Sequence, residues 1–335
     1  MLKLKKRNSK KIKWGVAGLG VYSENTFIPN LFLVRKAKLV SVYSSDKVRT
    51  KSIATKFSVS EHYDDFDAFL KSDIDAVYIG SANSNHYNQV IKAALAGKHI
   101  LCDKPIALSS SEAEEMVQVC KENNVKFAVN YVYRFHPIII KLKEMIDSNI
   151  IGKIININCQ FAIDFSPNDN FRYNKSLSGG GAIRDLATHL VDLLRFLGGE
   201  IIEIDGCIDN LVYKSQVDDF VFGTVKFEKG HYGYFNSAFC SKRAFNRIEI
   251  TGSTGSICID NLIAAKFPQT AKMTILLQNE SKKVFRARGN KVFHIIKSVN
   301  DSFLKNTEPE VTGIDGLINL KLLELLEEKC HQKKS

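Results

Sequence analysis

Lys11-Ile-Lys-Trp-Gly-Val-Ala-Gly-Leu-Gly-Val-Tyr-Ser23 reads as a buried strand that runs straight into a glycine turn. The turn has the G-x-G-x-x-G spacing of a dinucleotide-binding unit, with Ser23 in place of the third glycine. Gly18 permits the tight bend and Gly20 lets the backbone approach a pyrophosphate. The small Ser23 serves where helix packs on strand, and Leu19, Val21 and Tyr22 complete the cofactor-facing turn. A helix to about residue 35 and a second strand at Lys38–Tyr43 follow at the expected offset.

That second strand ends in Ser44-Ser45, followed by Asp46, Lys47, Arg49 and Lys51. An NAD-specific site places a carboxylate there to hold the ribose 2′-hydroxyl. Two hydroxyls with nearby cations suit a 2′-phosphate instead, with Arg49 as the bidentate partner. NADP(H) is therefore expected over NAD(H), and Asp46 is read as the N-cap of the next helix. Alternation continues with a helix at 64–70, a strand at 74–79, a turn at 80–86 and a helix at 87–95. A strand then ends at Cys102-Asp103-Lys104-Pro105, a helix starts at Ser109, and a strand covers 125–129. This predicts a doubly wound parallel α/β sheet, a Rossmann domain over residues 12–132.

After Pro137 a helix leads into an alternating strand from Ile154, and further strands are expected at 201–209, 218–227, 231–239, 245–250, 255–260 and 272–278. A run of strands without intervening helices means a large, mostly antiparallel sheet, an α+β domain over 133–310. A helix closes the chain within 311–335. Length and composition (335 residues, 44% hydrophobic, 25% charged) suit two domains. The net charge of +11 is local: Lys3, Lys5, Lys6, Arg7, Lys10, Lys11 and Lys13 leave only +4 for the body. It marks a basic flexible tail at 1–11, with no motif that reads bases and no run able to span a bilayer. The seven cysteines form no C-x-x-C pair, as expected for reduced thiols in a cytoplasmic protein. No ligand spacing for a metal is present.

Lys104 stands where a strand end opens toward a helix, the usual place for reactive groups in such sheets. Asp185 and His189 are four residues apart, so on a helix they share a face. Three glycines, 179–181, allow close backbone approach just before it.

Four segments together resemble the Gfo/Idh/MocA family, the relatives of glucose–fructose oxidoreductase and inositol dehydrogenase. They are the glycine turn, Gly97-Lys-His-Ile-Leu-Cys-Asp-Lys-Pro105, Asn130-Tyr-Val-Tyr-Arg-Phe-His-Pro137 and Gly179-Gly-Gly-Ala-Ile-Arg-Asp-Leu-Ala-Thr-His189. Asp103 departs from the glutamate usual before Lys-Pro, keeping the carboxylate on a shorter arm. The likeness is greatest to the NADP-dependent sugar branch, with its 1,5-anhydrofructose reductases and xylose dehydrogenases. It implies a hydride-transferring enzyme for a sugar or sugar-like polyol. Lys104, His189 and Asp185 would be catalytic and also touch substrate, with Tyr133 and Arg134 as lesser contacts. Ser44, Ser45 and Arg49 would hold the 2′-phosphate. Phe171-Arg172 falls on a Trp-Arg cofactor clamp, Phe being the departure. Ser81, Asn83, Asn85, His86, Asp103, Lys104 and Asn130 would line the nicotinamide side. Substrate contacts are expected from residues 160–176 and 231–245, and a homodimer or homotetramer through the second sheet. Two other readings stay open: a non-catalytic NAD(P)-binding sensor, and an enzyme that retains its cofactor and uses transient oxidation, as in glycoside cleavage or epimerisation.

Overall fold

The strand before the glycine turn is β1 (Ile12–Ala17), with Trp14, Val16 and Ala17 fully buried. The computed structural model describes residues 10–262, 270–278 and 281–334, so the basic tail assigned to 1–11 lies almost wholly outside the described residues. Around β1 stand β2 (Ala37–Tyr43), β3 (Glu61–Tyr63), β4 (Ala76–Ile79), β5 (His99–Cys102) and β6 (Phe127–Val129). They form one parallel sheet in the order β3-β2-β1-β4-β5-β6. The order reverses direction between β1 and β4. A crevice opens beyond the carboxyl ends at such a point.

The connecting helices are α1 (Ile28–Leu33), entered through a π turn at Ser23–Phe27, α2 (Lys47–Phe57), α3 (Phe66–Leu70), α4 (Asn83–Leu95) and α5 (Ser110–Glu122). Their starts follow local chemistry. The Asp46 carboxylate accepts from the Arg49 amide and caps α2, as expected. Ser109 and Glu112 form a reciprocal capping box on α5, which satisfies two of the otherwise orphaned amides. The helix α4 begins four residues earlier than its apolar pattern suggested, so Asn83, Asn85 and His86 sit in its first turn rather than in a loop.

The second domain opens with α6 (Pro137–Asp147) and β7 (Ile154–Asp164). After α7 (Lys175–Ser178), a π turn at Ile183–Ala187 feeds α8 (Thr188–Gly198). Then come β8 (Ile201–Asp209), β9 (Phe220–Phe227), β10 (Tyr232–Ala238), β11 (Cys240–Gly252), β12 (Gly255–Asp260), β13 (Thr270–Leu277) and β14 (Lys282–Arg288). The sheet order is β14-β13-β12-β11-β7-β10-β9-β8. Among the described strands of this second sheet, only the β7–β10 pair is parallel. The mixture of a Rossmann sheet and a large, mostly antiparallel sheet is the fold class read from the sequence.

Four elements went unanticipated: the short β3 and α7, β14, and the helix α9 (Lys291–Lys305). The segment 133–310 was read as one substrate domain, yet α9 packs back on β1 and α1. There the Trp14 indole donates to Asn300 Oδ1 at 3.0 Å and stacks on Phe303 at 5.6 Å. The last helix, α10 (Gly313–Lys334), packs on α5 of the first domain and on α8 and β8 of the second. These two helices tie the domains together, and β5, the π turns and α9 converge on one crevice.

Candidate active site

At the end of β1, Gly18 adopts φ +85°, and a Cβ there would sit 2.3 Å from the Ser81 amide nitrogen. Only glycine fits that approach. The Ser23 hydroxyl donates to the Gly18 carbonyl at 2.5 Å, which shows how serine replaces the third glycine: it closes the turn on itself. A Cβ on Gly20 would meet nothing within 4 Å, so the turn leaves open space on that side.

Between the domains lies a cavity of about 340 Å³. The first domain contributes Tyr22, Thr26, Asp103, Lys104 and Asn130; Tyr133 and Arg172 follow from the segments that lead into the second domain. The π turn and α8 bring Asp185, Leu186 and His189, β7 brings Phe161 and Ile163, and α9 brings Lys291 and Val292. The Lys104 ammonium donates to the Asp185 carboxylate at 2.6 Å and to its carbonyl at 2.7 Å. Arg172 Nε donates to the same carboxylate oxygen at 3.1 Å. The Asp103 carboxylate accepts from the Lys104 amide at 2.9 Å and from Tyr78 at 3.2 Å, which holds the lysine's backbone. The His189 ring stands edge-on to Tyr133, centroids 4.8 Å apart.

These charges shape one another. Burial alone would raise Asp185, but Arg172 and Lys104 carry its carboxyl well below the usual range. Burial pushes His189 well below its ordinary 6.5, and the Lys104 cation pushes it the same way. His189 is therefore a neutral imidazole at neutral pH, able to accept a proton. Among the described residues its Nδ1 is buried without a hydrogen-bond partner.

Residues 12–131 match the family described as "Oxidoreductase family, NAD-binding Rossmann fold", and residues 139–258 match the "GFO/IDH/MocA C-terminal domain". The chain belongs to the Gfo/Idh/MocA family. It is 30% identical over 262 residues to Oxidoreductase P35 of Formosa agariphila, covering 74% of this chain and 78% of that protein. It is 26% identical over 314 residues to the 1,5-anhydro-D-fructose reductase of Ensifer adhaerens, covering 92% and 93%. The crystal structure of aldose-aldose oxidoreductase from Caulobacter crescentus, complexed with glycerol, superposes with a TM-score of 0.89 at 22% identity, over 97% of this chain and 98% of that one.

Membership in the Gfo/Idh/MocA family makes this an oxidoreductase with an NAD-binding Rossmann domain. The residues present fit such a cofactor. Gly20 leaves room where a pyrophosphate approaches the turn, and Asn130 presents a buried, unpartnered Oδ1 at the cavity beside Asp103.

Several residues expected at this site are placed elsewhere. Arg49 was read as the 2′-phosphate partner; here its Nε donates to the Leu19 carbonyl at 2.8 Å and its Nη2 to Glu24 at 2.5 Å, with Lys56 on the other Glu24 oxygen. It braces the glycine turn. Ser44 and Ser45 do stand just beyond the end of β2, where the Ser44 hydroxyl accepts from the Asp46 amide. Arg134 is corrected outright. It is 6% exposed, lies away from the cavity, and forks onto Asp192 at 2.9 and 2.5 Å with Asp315 at 3.1 Å. His86 is fully buried below the site, its ring nitrogens 2.9 Å from the Pro105 carbonyl and 3.2 Å from that of Ser81, so it supports two loops rather than touching a ligand. Asn83 reaches across to the Ser178 carbonyl at 2.8 Å, and Asn85 is exposed. Phe171 does not line the cavity; it lies under the Arg172 guanidinium at 4.8 Å.

The glycine run serves a contact inside the second domain: a Cβ on Gly181 would meet the Asp218 carbonyl oxygen at 1.9 Å. Of the segments expected to meet substrate, 160–176 supplies Phe161, Ile163 and Arg172, whereas nothing from 231–245 lines the cavity. Lys291 was missed altogether. Its signal was available, because Asn290 caps a helix whose Val292, Ile295, Ile296, Val299 and Phe303 recur at helical spacing.

Proposed function

We propose that this oxidoreductase interconverts a hydroxyl and a carbonyl carbon of a sugar or sugar-like polyol, with Lys104, Asp185 and His189 as its catalytic residues. One observation carries the reading: an ammonium from the first domain and an imidazole from the second line a single cavity. The named relatives that act on sugars support the substrate class. The bound nicotinamide cofactor supplies the acceptor or donor of a hydride.

The chain's own residues handle the proton. In the direction of oxidation, neutral His189 accepts the proton of the substrate hydroxyl. Lys104 has three N–H donors, and Asp185 engages it twice, which leaves a donor for the substrate oxygen. Asp185 holds that ammonium in place and shares the same carboxylate oxygen with Arg172. In the reverse direction the same pair delivers the proton as negative charge develops on the carbonyl oxygen.

Of the two cofactors we favour NADP(H), because Ser44-Ser45, directly after β2, offers hydroxyls in place of a carboxylate. Arg49 would leave Glu24 to meet a 2′-phosphate. The test is reduction of NADP+ and NAD+ with a panel of aldoses, ketoses and polyols, with both reduced cofactors titrated by fluorescence. Sugar-dependent reduction and tighter NADPH, lost in Arg49→Ala, are expected. Equal affinities would remove the NADP(H) preference, and tightly bound cofactor without sugar-dependent reduction would remove the proposed reaction.

The free cysteines, Cys102, Cys120, Cys159, Cys207, Cys240, Cys258 and Cys330, fit a reducing cytoplasm. We also read the uncovered face of the second sheet as a pairing surface for a second copy, since Tyr232 is 58% exposed there beside Phe222 and Tyr234. Sedimentation equilibrium is expected to give a dimer or tetramer; a monomer at micromolar concentration would end that reading.

A further inference from the structure

Lys104 is a long side chain, and its aim across the crevice at Asp185 depends on the backbone that bears it. A shift of that backbone by a fraction of an ångström misplaces the ammonium. On the upstream side the anchors are in view. The Asp103 amide donates to the Ile79 carbonyl at 2.8 Å, and the Asp103 carboxylate accepts from the Lys104 amide at 2.9 Å. On the downstream side stands Pro105, a buried residue with no N–H to give. Among the described residues the only donor to its carbonyl is His86, whose Nδ1 lies 2.9 Å away.

Helix spacing brings His86 there. Asn83, His86, Gln89, Val90 and Ala93 recur at intervals of three and four and form the buried face of α4. The ring is fully buried and has no path to solvent. Its second nitrogen, Nε2, lies 3.2 Å from the Ser81 carbonyl. Burial holds its pKa below the ordinary 6.5, with the Asp103 carboxylate pulling the other way, so the imidazole is neutral at neutral pH. A neutral imidazole carries one N–H and donates to one of the two carbonyls. The Ser81 loop has other holds: its hydroxyl donates to Gln89 Oε1 at 2.8 Å, and the Gly80 amide donates to the Ala17 carbonyl at 2.8 Å. The shorter contact and the lack of another donor for Pro105 place the proton on Nδ1.

Resting on the catalytic role proposed for Lys104, we propose that His86 is a positioning residue for the reaction. Its Nδ1–H, donated to the Pro105 carbonyl, fixes the chain just after Lys104 and so aims the ammonium at Asp185 and the substrate oxygen. His86 acts through Lys104 alone, since it does not line the cavity itself.

The experiment compares substitutions in the full chain with NADP+ and the most rapidly oxidised of glucose, xylose, galactose and myo-inositol. Asparagine places an amide N–H where Nδ1 stands, glutamine places one where Nε2 stands, and leucine has neither. His86→Leu is expected to lower kcat by about 10- to 100-fold, with sugar KM and NADPH affinity within a few-fold of the parent. His86→Asn is expected to recover most of that kcat and His86→Gln little of it, although glutamine is nearer to histidine in size. A role in packing alone gives the opposite order, and that order overturns the proposal. A double-mutant cycle with Lys104→Met gives a second reading. With the ammonium gone its aim no longer matters, so His86→Leu is expected to change the residual kcat by less than about threefold. An equal loss in both backgrounds overturns the proposal, as does a folded His86→Leu enzyme at the parental rate. Where urea titration shows His86→Leu unfolded, the contrast between Asn and Gln decides. Loss of turnover in Lys104→Met, with parental rates in every His86 variant, removes the positioning role and leaves the catalytic role of Lys104 standing. Parental turnover in Lys104→Met removes both.

Discussion

A Lys104→Met enzyme is expected to lose ~10²–10⁴-fold in kcat, the usual worth of a positioned proton donor, while NAD(P)H affinity stays within a few-fold. On the proposed role the loss falls on kcat, because Lys104 would meet the reacting oxygen, where charge develops only as the reaction proceeds. The fold is expected to tolerate the change. Asp185, left without the ammonium, keeps Arg172 at 3.1 Å and so is not stranded as a bare buried charge. The pH profile gives a second reading. Burial is the first cause of the low His189 pKa and Lys104 the second, so removing the cation lets the imidazole rise toward 6.5. Oxidation needs the neutral base, and the acid limb of kcat/KM is therefore expected to move to higher pH in the variant. Steady-state rates between about pH 5 and 9 measure both effects. Turnover within a few-fold of the parent, with an unmoved acid limb, would take Lys104 out of the reaction.

What could be read before the structure is mostly what the chain writes locally. The glycine turn, the Asp46 cap and the helix start at Ser109 each depend on residues a few positions apart, and each lies where expected. The strand run of the second half was legible from its alternation, because a period of two survives any arrangement of the sheet. Distant partners were not legible. Arg49 sits beside two hydroxyls in sequence, but its guanidinium answers to Glu24, 25 residues away, which no local spacing reveals. Lys291 enters the cavity only because α9 crosses back to β1, a tertiary event fixed by Trp14 and Asn300, 286 positions apart. The Asp185–His189 pair was identified for a sound reason with the wrong local geometry. A π turn, not a regular α-helical one, carries Asp185, and both residues still reach one cavity.

Arg134 shows the same limit with the greatest consequence for stability, and Arg134→Met is expected to destabilise the protein by about 3–5 kcal/mol. The Arg-Phe-His-Pro turn sits beside the site in sequence, so a substrate role was a natural expectation. In the structure the guanidinium forks onto Asp192, which is 1% exposed, and also reaches Asp315 at the start of α10. Asn319 Nδ2 donates to Asp192 as well, at 3.0 Å. One cation thus joins α8 to α10. Burial already raises Asp192 against the pull of Arg134. Without the cation, that carboxylate must stay charged in an apolar setting or take up a proton, and either course costs stability. The deficit belongs to the orphaned acid rather than to the lost arginine, so Arg134→Met combined with Asp192→Leu is expected to recover much of it, since matched apolar replacement of a buried pair is often tolerated. Urea titration of the parent and both variants measures this, with KM on the folded fraction as the control. Parental stability together with a raised KM in Arg134→Met would return the residue to the substrate. A large loss of stability, partly recovered in the double variant and with KM unchanged, identifies Arg134 as the clamp that holds α10 against the helix bearing His189.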